Sequence, residues 1–436
     1  MQNVKDKRVT VAGLGRFGGG IAVTRWLAEQ GAHVLVTDRD PADKLSTSVA
    51  QLAGLPITYR FGQHHTEDFT STDLVVANPA MPISSPFLAA SRDAGVPITT
   101  EIRLFIERCP ATIVAVTGTK GKSTTTTLLS KMLSQKFQVW LGGNIGKSLL
   151  ADLPQIESHD LVVLELSSYM LEYLRPMRWS PHIALITNLS VDHVDWHGSP
   201  AAYIASKKTI LEFQRRDDYA IINESDETSI ELAESTPAKV EFFGTHARKP
   251  FSLRLPGNHN QLNAQAAFTA AHTLGISFAE AQSAIQDFPG LPHRLELVHE
   301  EHNIRYYNDS IATIPDAAIA ALDSFPPNTV LQIIGGYDKK LPMDSLCSAL
   351  ASRAKAILTI GITGPSLAKS IRELNPAAVV HECQDLATAV PLAQKLASPQ
   401  DNIVLSPGCA SYDQFTNFEQ RGEAFKQLIK SSGSGT

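Results

Sequence analysis

The chain has 436 residues, 38 basic and 44 acidic, for a formal charge of −6 with no long block of one sign. That balance lacks the basic footprint of a nucleic-acid binder, so no nucleic-acid partner is expected, and at about 150 residues per domain the length asks for two or three domains. Cys109, Cys347, Cys383 and Cys409 are scattered without C-x-x-C spacing, which argues against a disulfide framework or a zinc site and for reduced thiols. No apolar run approaches the ~18 residues of a membrane span, and "MQNVKDKRVTVAGLG" passes from a charged start straight into a strand. The expectation is an unexported cytoplasmic protein without membrane insertion.

In chain order, the first predicted strand is the β-branched run Val9 to Val11, which leads into Gly13-x-Gly15-x-x-Gly18. A helical stretch follows, then the strand "AHVLVTD" ending at Asp38, 20 residues after Gly18. This is a βαβ fingerprint of the dinucleotide-binding kind. Its glycines allow close backbone approach, a pyrophosphate can sit on the helix N-terminus, and Asp38 can accept a ribose hydroxyl. Taken alone it also admits an NAD-dependent oxidoreductase, or a glycine-rich turn that only packs helix on strand. The segment "DLVVANP" (73–79) continues the α/β alternation.

A second βα unit begins at "ATIVAVTGTKGKSTTTTLLSKMLSQ". Ile113 to Val116 read as a buried strand, and Leu128, Leu129, Met132 and Leu133 have helical spacing. Between them lies Gly118-Thr119-Lys120-Gly121-Lys122-Ser123. A Walker loop would place its first glycine at Val116, so this is a shortened version. Backbone N–H groups at such a strand-to-helix turn favour phosphate, Lys122 can reach the β- and γ-phosphates, and the hydroxyls of Ser123 and Thr124 can hold Mg²⁺. Further on, "DLVVLELSSYMLE" (160–172) puts Glu165 at the end of a buried strand, where a carboxylate needs a partner and a metal ion is the natural one. "IALITNLSVDHVDWHGSPAAYIASKKTIL" then supplies a strand (183–187), a loop with Asp192, His193, Asp195 and His197, and a helix bearing Lys207 and Lys208. From about Leu291, "NTVLQIIGGYDKK", "AKAILTIGITG", "AVVHEC" and "NIVLSPGCAS" read as strands of a parallel sheet with functional loops at their C-terminal ends.

The ordered series "GTKGKSTTT", "GGNIG" (142–146), "LELSSYMLE", "DHVDWHG" with "YIASK", "GNHNQLNAQAA" (257–267), "GLPHRLE" (290–296), "YNDSIAT" (307–313) and "LSPGCASYDQFTNFEQRG" (405–422) resembles the Mur ligase family over essentially the whole chain. The resemblance implies an α/β protein of three domains. These are an N-terminal Rossmann-like domain for a UDP substrate (1–106), a central P-loop-type parallel sheet that binds ATP (107–290), and a C-terminal Rossmann-like domain for an amino acid (291–436). It implies an ATP-dependent ligase of peptidoglycan precursor synthesis, working as a monomer with two Mg²⁺ ions on UDP-N-acetylmuramoyl-L-alanine and glutamate through an acyl phosphate.

By the same resemblance, Gly118, Thr119, Lys120, Gly121, Lys122, Ser123, Thr124, Asn260, Asn263, Arg294 and Asp309 bind ATP. Ser123, Thr124, Glu165, His193 and Lys207 serve the metals, with Lys122, Glu165, His193 and Lys207 catalytic. Lys207 matches a lysine carbamylated by CO₂, and Lys208 is the competing choice. Leu14, Gly15, Arg16, Asp38 and Arg39 hold the uridine diphosphate, Asn144 touches its muramoyl-peptide end, and Thr313, Lys339, Ser411 and Phe418 hold glutamate. The chain departs from the family pattern at Ile311, where a lysine is usual, at Met170, where a glutamine is usual, and at "ANPAMP". The first departure leaves D- and L-glutamate both open, the family majority favouring D, with Lys340 the candidate replacement cation.

Overall fold

Parallel strands buried on both faces read as continuous apolar runs, and the inner strands of the first two sheets are largely such runs. The computed structural model describes residues 3–15, 18–190, 192–244 and 249–432. The first sheet comprises β1 (Arg8–Ala12), β2 (His33–Asp38), β3 (Ile57–Phe61), β4 (Leu74–Ala77) and β5 (Ile98–Thr99), all parallel, in the order β3-β2-β1-β4-β5. The second comprises β6 (Thr112–Thr117), β7 (Val139–Gly143), β8 (Leu161–Glu165), β9 (Ile183–Ile186), β10 (Tyr219–Asn223) and β11 (Lys239–Phe243), also all parallel, in the order β11-β10-β9-β6-β8-β7. In each sheet the first strand lies between two neighbours from which the chain runs off in opposite directions. Such a reversal opens a crevice at the carboxyl ends of the strands.

The third sheet holds β12 (Glu296–Glu301), β13 (Ile304–Asn308), β14 (Val330–Gly335), β15 (Ala356–Ile360), β16 (Val380–Gln384) and β17 (Asn402–Leu405), in the order β12-β13-β17-β14-β15-β16. It is mixed rather than wholly parallel, because β12 pairs antiparallel with β13. The cause is local. Only His302 and Asn303 separate the two strands, both with positive φ (50° and 61°), and a two-residue turn of that kind folds a chain back as a hairpin. Along β14 the side chains alternate between two cores, Val330 and Ile334 in one and Leu331 and Ile333 in the other, as the period of two requires.

The chain divides into two compact units, Met1–Pro250 with Leu262–Ser283, and Phe251–Gln261 with Ala284–Thr436. The first two sheets lie in one unit and the third in the other. All four cysteines are free thiols, and no helix among the described residues is long and apolar enough to cross a membrane.

Candidate active site

The loop after β6 is shaped by two glycines. Gly118 (φ 143°) and Gly121 (φ 81°) both have positive φ; a Cβ on the first would overlap Thr187 Oγ1 and one on the second would overlap Asn263 Oδ1. Val116, where a standard Walker loop has its first glycine, is instead a fully buried strand residue. The helix Lys122–Leu133 therefore starts directly from Gly121, with no side-chain cap on its first N–H groups, which stand open to an anion.

The loop is braced by the segment that follows β9. Thr119 N donates to Asn188 O (2.8 Å) and Lys120 N to Asn188 Oδ1 (3.0 Å). Thr119 Oγ1 donates to Ser190 O (3.0 Å) and lies 2.9 Å from Tyr203 Oη. Lys122 Nζ donates to Thr119 O (2.9 Å), and Thr125 Oγ1 donates to Asn263 Oδ1 (3.3 Å). Thr124 is buried and Ser123 half-buried in the first turn. The structure thus brings Gly118 through Thr124 together with Asn263. Sequence reasoning missed the brace, Thr187, Asn188, Ser190 and Tyr203, although a polar "TN" straight after a buried strand at the sheet's C-terminal end was a usable signal.

Glu165, at the end of β8, is 1% exposed. Its Oε1 accepts from Asn144 Nδ2 (2.8 Å), while its Oε2 is buried with no hydrogen-bond partner. An orphaned buried carboxylate oxygen costs free energy unless a cation meets it, so the site fits a hard, oxygen-seeking ion such as Mg²⁺. Among the described residues no group of three His, Cys, Asp or Glu could hold a metal alone; Mg²⁺ ordinarily takes one or two carboxylates plus waters and phosphate oxygens. Asn144 therefore spends its amide on Glu165.

Lys207, on the helix Pro200–Glu212, is 1% exposed. Its Nζ donates to Thr117 Oγ1 (3.3 Å) and lies 5.0 Å from the centre of the Tyr203 ring. Burial above all, then the Lys122 cation, lowers its pKa from 10.5 to about 7, against the opposing pull of Asp192 and Glu165. Lys208 is only half-buried. His193 sits in the left-handed region (φ 48°, ψ 34°) immediately before the helix Val194–His197, its ring 5.0 Å from that of Tyr169 and its Nε2 3.6 Å from Asp192 Oδ2. His197 Nε2 lies 3.0 Å from Ser168 Oγ. Asp195 is exposed.

In the first sheet, Asp38 Oδ2 accepts from Gly15 N (3.1 Å) and its Oδ1 from Asp40 N (2.9 Å). The predicted Gly15 and Asp38 are thus in contact, with exposed Arg39 beside them. Leu14 is fully buried, so only its backbone can serve a ligand, and Arg16 lies outside the described residues. A cavity of about 630 Å³ runs from this loop to the second sheet, lined in part by Gly15, Asn78, Asn144, Ser148, Tyr169 and Met170. Nearby, Trp196 Nε1 donates to Ala80 O (3.1 Å) and Tyr173 Oη to Met81 O (2.6 Å).

In the second unit, Asp309 is 5% exposed, with Oδ1 accepting from Leu295 N (3.0 Å) and Oδ2 from Ser406 Oγ (2.7 Å). Burial pushes its carboxyl up to about 7. Both its oxygens are engaged inside the unit, next to half-buried Arg294. The stretch "HNQLN" is divided: Asn260, whose Nδ2 donates to Pro256 O (2.7 Å), belongs to this unit and Asn263 to the other. Ser411 is buried, Thr313 half-buried and Lys339 exposed, and the Phe418 ring lies edge-on to His293 at 5.9 Å. Lys340, the candidate for the missing cation, is paired with Asp338 (2.6 Å).

Two glycine loops at switch points of parallel sheets, one followed by lysine and hydroxyls beside an orphaned carboxylate, define an α/β nucleotide-binding enzyme. The sequence matches the Mur ligase MurD-like N-terminal domain over residues 7–100, the Mur ligase middle domain over 116–252, and the Mur ligase glutamate ligase domain over 293–409. It is 40% identical to the UDP-N-acetylmuramoylalanine--D-glutamate ligase of Roseiflexus sp. (strain RS-1), covering 98% of each chain. It is 34% identical to the ligase of the same name from Acetivibrio thermocellus, covering 99% of this chain and 97% of that one. In fold it is similar to UDP-N-acetylmuramate-alanine ligase from Thermotoga maritima, with a TM-score of 0.61 at 20% identity over 98% of this chain and 100% of that one. The chain belongs to the Mur ligase family.

Proposed function

We propose that the protein is an ATP-dependent, ADP-forming ligase that joins D-glutamate to UDP-N-acetylmuramoyl-L-alanine in peptidoglycan precursor synthesis, acting in the cytoplasm as a monomer. The relatives' names support the D enantiomer. The observation that carries the reading is the group around the shortened phosphate loop: Lys122, the orphaned Glu165 Oε2 and the buried Lys207.

A carboxylate resists attack by an amine because its leaving group would be oxide. Transfer of the ATP γ-phosphoryl to the alanyl carboxylate oxygen releases ADP and leaves an acyl phosphate. The glutamate amine then attacks the carbonyl carbon, a proton is lost from nitrogen, and inorganic phosphate departs to leave the amide. Lys122 and the uncapped N–H groups of the helix's first turn neutralise and position the phosphates. Ser123 and Thr124 would hold one Mg²⁺, and Glu165 with His193 a second; bound there, the ions supply charge neutralisation on phosphoryl oxygens. Asn263 would fix the nucleotide, with Asn260, Arg294 and Asp309 the further nucleotide residues. Gly15, Asp38 and Arg39 would take the uridine diphosphate, and Thr313, Lys339, Ser411 and Phe418 the glutamate.

A lysine with a pKa near 7 is partly neutral at physiological pH. Its free amine can add to CO₂ and lose a proton, becoming a carbamate anion that would support rather than repel a cation. Lys207→Ala should then be nearly inactive, with activity partly restored by acetate or formate. The decisive experiment is phosphate release with ATP, Mg²⁺, UDP-N-acetylmuramoyl-L-alanine and each glutamate enantiomer. Turnover with the D form supports the reading; turnover with the L form alone overturns its stereochemistry, and none with either overturns the whole.

A further inference from the structure

Charged side chains are rarely buried without an opposite charge, yet Arg421, on the helix Phe418–Ser432, is 1% exposed. Its Nε donates to Ser310 Oγ (3.0 Å), Nη2 to Ser310 O (2.9 Å), and Nη1 to Cys409 O (3.1 Å) and Ala410 O (3.2 Å). Every partner is a carbonyl or a hydroxyl. Asp413 acts on it only through space, and no carboxylate pairs with it among the described residues. Burial lowers its pKa to about 10, so it stays a cation at neutral pH.

The backbones it holds belong to loops that follow neighbouring strands. Ser310 comes after β13 and leads to Thr313. Cys409 and Ala410 come after β17 and precede Ser411. Ala410 O also accepts from Tyr337 N (2.9 Å), in the loop after β14 that leads to Lys339. Ser310 Oγ donates to Phe418 O (2.8 Å), and Gly408 N to Ala312 O (2.9 Å). The loops that lead to Thr313, Lys339 and Ser411, and the Phe418 carbonyl, are thus joined to one guanidinium, directly or through a single further hydrogen bond. Arginine suits this work because its planar fork places five N–H donors in fixed directions. A neutral side chain could fill part of that role, but it would bring no charge. In this chain Ile311 adds no cation to the stretch and Lys340 is spent on Asp338.

We propose that Arg421 is the positioning residue of the amino-acid site: it fixes the three loops that carry Thr313, Lys339 and Ser411, and its charge, unpaired by any carboxylate, favours a dicarboxylate acceptor there. This rests on the reading of Thr313, Lys339, Ser411 and Phe418 as the glutamate pocket.

The test uses the full chain, with Arg421→Met and Arg421→Lys compared by steady-state phosphate release and thermal unfolding. Arg421→Met should raise the KM for D-glutamate about tenfold or more, the loss expected of a charge-assisted contact. The KM values for ATP and the UDP substrate should stay within about twofold of the parent, and Arg421→Lys should recover part of the loss. A folded Arg421→Met protein with the parental glutamate KM overturns the proposal, and so does a rise in all three KM values together, which marks a general structural role. Should Arg421→Met fail to unfold cooperatively, Arg421→Lys decides by the same split. A parent chain that releases no phosphate with glutamate defeats the pocket reading itself, and the proposal falls with it.

Discussion

The two glycine loops of the first unit are alike in plan and different in equipment. The loop after β1 enters the helix Gly19–Glu29 with glycines and an isoleucine in its first turn, and its Gly15 amide is already given to Asp38. The loop after β6 enters its helix with Lys122, Ser123 and Thr124, and its braces come from the backbone and amide of Asn188 and the backbone of Ser190. On the proposed function, the first loop holds phosphates that stay on the substrate and the second a phosphate that leaves. Binding needs donors and shape alone; transfer also needs charge placed where charge develops. A strand-loop-helix turn is therefore a frame whose chemistry is set by the few residues in the helix's first turn.

That contrast can be broken most directly at Lys122. Lys122→Ala should lower kcat for phosphate release by about a thousandfold with a melting temperature close to the parent's, since its Nζ donates to a carbonyl of its own loop, Thr119 O. A variant with near-parental turnover would place the transferred phosphate elsewhere. Glu165→Gln keeps the Asn144 contact through one oxygen but removes the charge at the orphaned position. We expect a loss of about a hundredfold, a higher Mg²⁺ requirement, and a melting temperature equal to or above the parent's; destabilisation would mean the carboxylate is structural. Asp38→Ala tests the other loop, and should raise the KM for the UDP substrate by about tenfold while leaving the KM for ATP unchanged. If the ATP value moves instead, the two loops have been assigned the wrong way round.

The smallest effect is expected at Asp309, in the second unit, which carries neither loop. Its carboxyl is raised from 3.8 to about 7 by burial, so between those values the folded protein holds a proton that the unfolded chain releases. Its contribution to stability is full below about pH 4 and is lost as pH rises through 7. The melting temperatures of the parent and Asp309→Asn should accordingly lie close together at pH 4, where both side chains are neutral, and separate as pH rises to 8, the parent's falling the more steeply. Parallel curves across that range would show that Asp309 is ionised throughout.

The strands around both loops were legible because their signal is local. Val9 to Val11 and Ile113 to Val116 are β-branched or apolar runs cut off by glycine, and no distant residue is needed to read them. The β12–β13 hairpin escaped notice because His302 and Asn303 are not the glycine-containing pair that usually marks such a turn. At the site, residue types and spacing nominated Glu165 and Lys207, but not the state of either. Between Lys207 and Lys208, both offered by the resemblance, the structure buries the first and leaves the second half-buried. Asn144, expected at a substrate, lines the cavity and also holds Glu165; Lys340 is paired with Asp338; and Arg421, inside the quoted stretch 405–422, was given no role by spacing or residue type.

By itself, then, the sequence determined the α/β alternation, the two glycine turns and the set of chemically able side chains, since these depend on backbone sterics and on apolar spacing along a single segment. The tertiary structure alone decided which of those side chains are buried, which are already paired and which face an unmet charge. Glu165 meets Asn144 across 21 positions, Lys207 meets Thr117 across 90, and Arg421 meets Ser310 across 111. Desolvation and hydrogen bonding act through space, and folding alone sets those distances.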